Sequence, residues 1–262
     1  MKPMFIATAF IGTALFPLTL SSIAQAAQQG GAAPAPQAAK PAEPAPRMAD
    51  GKPDLSGVWW TGGDVGGRGF GGGRGRGGGR GAGPAPPTFT GLYTPAAAAA
   101  AKKLTDNDDP TLKCIPTAFG TLNVSMFDVG AVAQIVSTPK FIVMLTETFH
   151  GYRLVPTDGR AHRAEVPPSL RGDSVGRWDG DVFVVETKNF TDNTWIWAEG
   201  RASPHSDQLR IVERYRRVDR NTLEIEATLS DPKVLTAPWT VPKQTLVLAP
   251  FDQILPLNCA EL

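Results

Sequence analysis

The sequence predicts an all-β domain, an antiparallel barrel of about eight to nine strands with one short helix near its start. Three observations predict it. From Ala131 onward the chain is a succession of short β-branched and aromatic runs separated by turn residues. Several of those runs alternate apolar and polar residues, as strands with one buried face do. Most are joined by connections too short for anything but antiparallel pairing. The folded part is expected over 50–262, long enough for one well-buried core.

The elements follow in order. Met1 to about Ala26 has a basic start at Lys2 and the apolar run FIATAFIGTALFPLTL, and it ends in Ala24-Gln25-Ala26. This is the pattern of a secretory signal peptide, and Pro17 argues against a membrane span. The expected location is therefore periplasmic or secreted, after cleavage near Ala26. Residues 27–49 are rich in Ala, Pro and Gln and predict a disordered tether. A turn and a first strand follow in DGKPDLSGVWW, and then a Gly/Arg-rich block that predicts a flexible insert over 62–87. The repeated Arg-Gly in that block resembles the arginine–glycine boxes of RNA-binding proteins. Export and a net charge of +1 argue against a nucleic-acid partner.

Thr94-Pro95 before six alanines predicts a helix, with Thr94 as N-cap and Pro95 at the first helical position. VAQIVST and FIVMLTETF predict a hairpin around Pro139-Lys140, and YRLV predicts the next strand. VGRW and DVFVVET flank Asp179-Gly180, a mirrored type I turn signal that places Asp173 across from Glu186. LRIVERYRRV and TLEIEATL flank Asp219-Arg220-Asn221. With Asn221 in the left-handed position, that loop pairs Arg217 with Leu223, Tyr215 with Ile225 and Ile211 with Leu229. The other face then pairs Arg216 with Glu224 and Arg214 with Glu226, so the arginine run needs no anionic partner. One residue is out of place in this register: Glu213 falls on the apolar face, opposite Ala227.

Two resemblances bear on the same residues. Gly57-Val58-Trp59 resembles the G-x-W signature of lipocalin-like (calycin) barrels, which implies a Trp plugging one barrel end and a small hydrophobic molecule at the other. Trp60, the helix and a cysteine tie from the C-terminus fit that resemblance. Thr157-Asp158 departs from it, because Gly159 follows where the second lipocalin motif has an aromatic residue. More of the chain is similar to a family of exported bacterial proteins with a GDSVGRW-GD-LVV-T-NF core. DGKPDLSGVW, DPTLKCIP, GDSVGRWDGDVFVVETKNF, PHSDQLRIVERYRRVDRNTLEIE and DPKVLTAPW carry that similarity. It implies export and names no chemistry.

The candidate chemistry is limited. The two cysteines, Cys114 and Cys259, predict one disulfide in an oxidising compartment. Closing so long a loop is worth roughly 4–5 kcal/mol in the chain-entropy model. The histidine spacing gives no zinc pattern, and DNDDP lacks the Gly and distant Glu of a calcium loop. No phosphate loop, nucleophile elbow or dinucleotide fingerprint in its strand–turn–helix context is present, so no cofactor is expected.

Acid–base chemistry fits the inventory, with His205, His162, Asp173 and Glu213 as candidate catalytic residues. Tyr152, Ser174, Arg177, Trp178, Asn189, Trp195 and Tyr215 are candidate ligand contacts; His150 is expected to be structural. Two readings stand side by side. One is an exported barrel binding a small apolar, aromatic molecule. The other is a cofactor-independent lyase, isomerase or hydrolase acting on such a molecule in the barrel cavity. An envelope scaffold or interaction protein is a third, suggested by the tether and insert.

Overall fold

The computed structural model describes residues 42–62, 87–119, 132–147, 151–198 and 201–255. The expected signal peptide, His150, Cys259, the tether as far as residue 41 and nearly all of the Gly/Arg-rich insert lie outside these residues. The tether's last residues, 42–49, are described and lie on the domain.

Eleven strands form among the described residues: β1 (Gly57–Trp60), β2 (Ala133–Ser137), β3 (Phe141–Thr146), β4 (Tyr152–Pro156), β5 (Asp173–Asp179), β6 (Val182–Lys188), β7 (Trp195–Ala198), β8 (Arg201–Pro204), β9 (Arg210–Arg217), β10 (Thr222–Ser230) and β11 (Trp239–Leu248). The single α-helix, α1 (Pro95–Ala101), starts as predicted: Ala97 N–H donates to the Thr94 hydroxyl at 3.2 Å. Beyond it, the acidic run forms short 3-10 turns.

Nine strands make one antiparallel sheet in the order β4-β3-β2-β1-β11-β10-β9-β6-β5, and β7 and β8 form a separate hairpin. Each strand lies beside its neighbour in the chain, apart from β1 against β11 and the step from β6 to β9 where the hairpin leaves. The sheet is thus an up-and-down barrel whose two ends, β4 and β5, almost meet. They touch through a bridge between Asp158 and Arg177, with Gly159 N–H donating to the Gly176 carbonyl at 2.9 Å. Closure is nearly complete, and that line is its seam.

The β9–β10 hairpin has the predicted register throughout, including Glu213 opposite Ala227. Its turn differs in one respect. Asn221 is not left-handed; its N–H donates to the Asp219 carboxylate at 2.7 Å, and this side-chain turn holds the loop. The β5–β6 hairpin also differs. Asp179 pairs with Val182, so Gly180-Asp181 forms the tip, with positive φ at Gly180 alone. The mirrored type I turn, which needs positive φ at both central residues, is therefore not formed. Asp173 consequently faces Lys188 rather than Glu186, which lies opposite Val175. The slip is two residues, so each side chain keeps its face. The Phe183 ring fills the space that a side chain at Gly176 would need.

The barrel interior is packed. A first cluster includes Trp59, Ile135, Ile142, Met144, Phe183 and Tyr215. A second, including Phe89, Phe119, Phe190, Ile196, Ile211, Leu229 and Trp239, fills the other end. Burying each such side chain contributes about 1.5–3 kcal/mol, which makes these clusters the main support of the fold. At the first end, the Arg217 guanidinium lies 4.9 Å from the Trp59 ring centre and donates to the carbonyls of Asp54 and Ser56. Residues 42–56 cross that end: Arg47 grips Asp181 with two hydrogen bonds, and Arg220 N–H donates to the Glu43 carbonyl. At the second end, Thr94 N–H donates to the Val234 carbonyl, and Phe89 packs edge-on to Trp239 at 5.2 Å.

Candidate functional site at the barrel seam

β4 carries an unusual pattern. Tyr152 and Leu154 face outward at 66% and 51% exposure, whereas Arg153 and Val155 are buried. Arg153 therefore points into the barrel, where a lone cation would be strongly disfavoured. Glu213 on β9 meets it: two hydrogen bonds at 2.6 and 3.2 Å join the guanidinium to the carboxylate. Arg153 also donates to the Tyr215 oxygen at 3.0 Å and to Thr187 Oγ1 at 3.3 Å, and Tyr215 donates to Glu213 at 2.7 Å.

The electrostatics follow from enclosure. Burial works against the Arg153 cation, but Glu213 and Tyr215 more than offset it, and its pKa is raised. Burial first, and then Glu213, push Tyr215 well above the ordinary tyrosine range, so its hydroxyl stays protonated. One donor in this network is unused: Arg153 Nε–H is buried with no acceptor among the described residues.

A second polar cluster lies on the outer face of β5 and β6. His162, from the loop between β4 and β5, places Nδ1 at 2.9 Å from Asp173 and Nε2 at 3.6 Å from Glu186. Arg163 donates to the other Asp173 oxygen at 2.9 Å, and Arg210 donates to Glu186 at 2.7 Å. Burial raises the Asp173 carboxyl, but the hydrogen bonds from Arg163 and His162 outweigh it and leave its pKa lowered. Glu186 is lowered first by its hydrogen bond from Arg210. Both carboxylates thus meet cations, Arg163 at Asp173 and Arg210 at Glu186. The 3.6 Å gap is too long for a hydrogen bond, and His162 Nε2 is buried without a partner among the described residues.

Between these clusters the seam opens into a cleft of about 480 Å³. Its apolar wall is Phe141, Tyr152, Leu154 and Pro156, and Arg160, Arg163, Ser169 and Arg171 of the β4–β5 connection close it from the other side. Asp173, Ser174 and Arg153 also line it. Ser174 connects the cleft to the interior: its hydroxyl meets that of Thr187 at 2.9 Å, and Thr187 accepts from Arg153. The Arg171 guanidinium lies where a side chain at Gly151 would have to go, so Gly151 makes room for it. A hollow beside Gly57, Leu248 and Phe251 is more open and has Asp252 as its one charged lining residue.

The structure gathers some of the sequence candidates and separates others. Asp173, Ser174 and Tyr152 line the cleft; His162 reaches it through Asp173, and Glu213 and Tyr215 reach it through Arg153. His205 stands apart, beside the second hydrophobic cluster, edge-on to Phe190 at 5.9 Å. Its Nδ1–H donates to the Ser206 carbonyl and its Nε2 accepts from Thr194, both at 2.8 Å. Burial pushes its pKa down, in keeping with a neutral ring. Arg177 is on the outer face of β5, while Trp178 packs on Phe183 inside the barrel. Asn189 takes a left-handed φ of 65° and donates to the Val166 carbonyl, pinning the β4–β5 connection. Trp195 belongs to the β7–β8 hairpin, where its carbonyl accepts from Ala118 N–H.

Sequence reasoning missed Arg153, Arg163 and Arg171. The signal for Arg153 was Glu213 itself, since an inward carboxylate requires a cation from a facing strand. Among the described residues no group of three His, Cys, Asp or Glu side chains is arranged to hold a metal, and no helix is long and apolar enough to cross a membrane. No protein-family model, curated protein or solved structure matches the chain.

Proposed function

We propose that the protein binds a small molecule with a flat, largely apolar body in the cleft between β4 and β5. One observation carries this reading: both barrel ends are covered by packed residues, and the wall opens only partly, at a seam where exposed Tyr152 and Leu154 adjoin buried polar groups. A site that combines an apolar wall with a few fixed polar groups is what small-molecule recognition requires. The ligand enters from the side of the barrel rather than along its axis, where side chains fill the space. Titration of the purified protein with naphthalene derivatives, followed by calorimetry, tests this. Leu154→Asp should abolish binding while leaving the thermal unfolding midpoint nearly unchanged; equal binding by that variant rejects the site.

The Asp173–His162 pair favours the second reading, acid–base catalysis on the bound molecule. Asp173 lines the cleft as the group that meets the ligand, and His162 positions its carboxylate through Nδ1. Incubation with aromatic compounds and mass spectrometry separates the readings. A product that disappears with His162→Ala makes the protein an enzyme, whereas recovery of unchanged compounds makes it a carrier. Export and a Cys114–Cys259 disulfide belong to the same proposal, supported by the N-terminal sequence and the cysteine count. Intact mass of the secreted protein, before and after reduction, checks both.

A further inference from the structure

The apolar wall of the cleft sets the ligand's body, and a hydroxyl at its inner edge sets what that body carries. We propose, on the reading that the seam is the binding site, that the ligand presents an acceptor oxygen to the Ser174 hydroxyl. A carbonyl conjugated to an aromatic ring is the simplest case.

The direction of one hydrogen-bond chain leads to this. Arginine can only donate, so Thr187 Oγ1 accepts from Arg153 at 3.3 Å. Thr187 is 1% exposed, and its own O–H has one neighbour among the described residues, the Ser174 hydroxyl at 2.9 Å. Were Ser174 to donate to Thr187, the Thr187 hydrogen would be buried with no acceptor, at a cost larger than the gain from one ordinary hydrogen bond. Thr187 therefore donates to Ser174 Oγ. The Ser174 O–H is then left without an acceptor among the described residues. Ser174 is half-buried and lines the cleft, so its hydrogen is free to turn to whatever the cleft holds. The cation at the start of the chain polarises each hydroxyl in turn and strengthens this last donor.

Other polar side chains around the cleft already hold one another. Arg160 is held by Asp158, Asp173 by His162 and Arg163, and the Ser169 hydroxyl donates to the Gly172 carbonyl. A purely apolar ligand would strip water from Ser174 and return nothing, whereas a ligand oxygen restores the bond. A carbonyl conjugated to a ring also keeps the molecule flat against Phe141, Tyr152, Leu154 and Pro156.

The test compares 2-acetylnaphthalene with 2-isopropenylnaphthalene, which has a methylene group in place of the carbonyl oxygen, by equilibrium dialysis. Ser174→Ala should lower the ratio of ketone to hydrocarbon affinity by about threefold to tenfold, the worth of one neutral hydrogen bond, and leave hydrocarbon binding unchanged. Ser174→Cys keeps a side chain of similar size with a weaker donor; it should also lower the ratio, and it decides if Ser174→Ala does not fold. The infrared carbonyl band of the bound ketone, isotopically labelled at that carbon, should lie below its position in hexane and move back toward it in either variant. An unchanged ratio with both ligands still bound overturns the Ser174 contact while the seam stands. Failure of both ligands to bind overturns the seam reading and this inference with it.

Discussion

The Arg153–Glu213–Tyr215 group and the Asp173–His162–Glu186 group use similar residues on opposite faces of one barrel wall, and they differ in how completely each is enclosed. In the first, the Arg153 and Glu213 side chains are 8% and 4% exposed and every charge has its counter-charge within the network. In the second, Asp173 is buried, but its partner Arg163 is 71% exposed, and Arg210, the partner of Glu186, is about half exposed. The same ion pair therefore means different things on the two faces. Inside, its loss strands a charge in a low-dielectric core; outside, water replaces the missing partner.

The largest expected effects test the inner group. Glu213→Ala or Arg153→Ala should each cost about 3–5 kcal/mol, read from the urea midpoint, because each leaves the opposite charge buried alone. The double variant Arg153→Met with Glu213→Leu should recover most of that loss, since it removes both charges and keeps the volume. A double variant as unstable as either single one would show that the network, not merely charge balance, holds β4 to β9. Outside, His162→Ala should cost less, about 1.5–3 kcal/mol, the range for hydrogen bonds to charged groups. A larger loss there than at Glu213 would invert the comparison.

Acid sharpens the same contrast. Asp173 and Glu186 both have lowered pKa values in the folded chain. Each binds its proton more weakly folded than unfolded, so its stabilisation is complete above the ordinary carboxylate pKa of about 4 and is lost as pH falls below it. The unfolding midpoint should drop below pH about 4, and Asp173→Asn should flatten part of that drop. An unchanged acid slope in Asp173→Asn would place the pH dependence elsewhere.

How far the sequence reached depends on whether a feature is local. The β9–β10 register follows from a three-residue loop and alternating charges, both contained within some twenty residues, and with it came Glu213 as an inward carboxylate. The turn between β5 and β6 was misplaced because Asp-Gly and Gly-Asp overlap at 179–181, and a two-residue slip keeps every side chain on its face. Choosing between them needed Phe183 lying over Gly176, a contact between strands. Arg153 was hidden for another reason. In YRLVP an arginine between apolar neighbours reads as the solvent face, but here Tyr152 and Leu154 are outside and the arginine is inside. The seam itself was beyond reach, since it arises where the long β4–β5 connection leaves the sheet unclosed.

The smallest effect is expected at Arg210, and it tests whether exposure, rather than hydrogen-bond length, ranks these contacts. Its 2.7 Å bond to Glu186 is nearly as short as the 2.6 Å bond between Arg153 and Glu213, but Arg210 is 48% exposed. Distance alone would give the two pairs equal weight. Solvent screening and the freedom of an exposed side chain predict less than about 1 kcal/mol for Arg210→Ala, a change in urea midpoint close to the error of the measurement. Glu186 then keeps His162 as its nearest cation-forming neighbour, so Arg210→Ala combined with His162→Ala should cost more than the two single changes added together. A simple sum would mean that His162 acts through Asp173 alone, and that the outer group is an Asp173–His162 pair with Glu186 standing outside it.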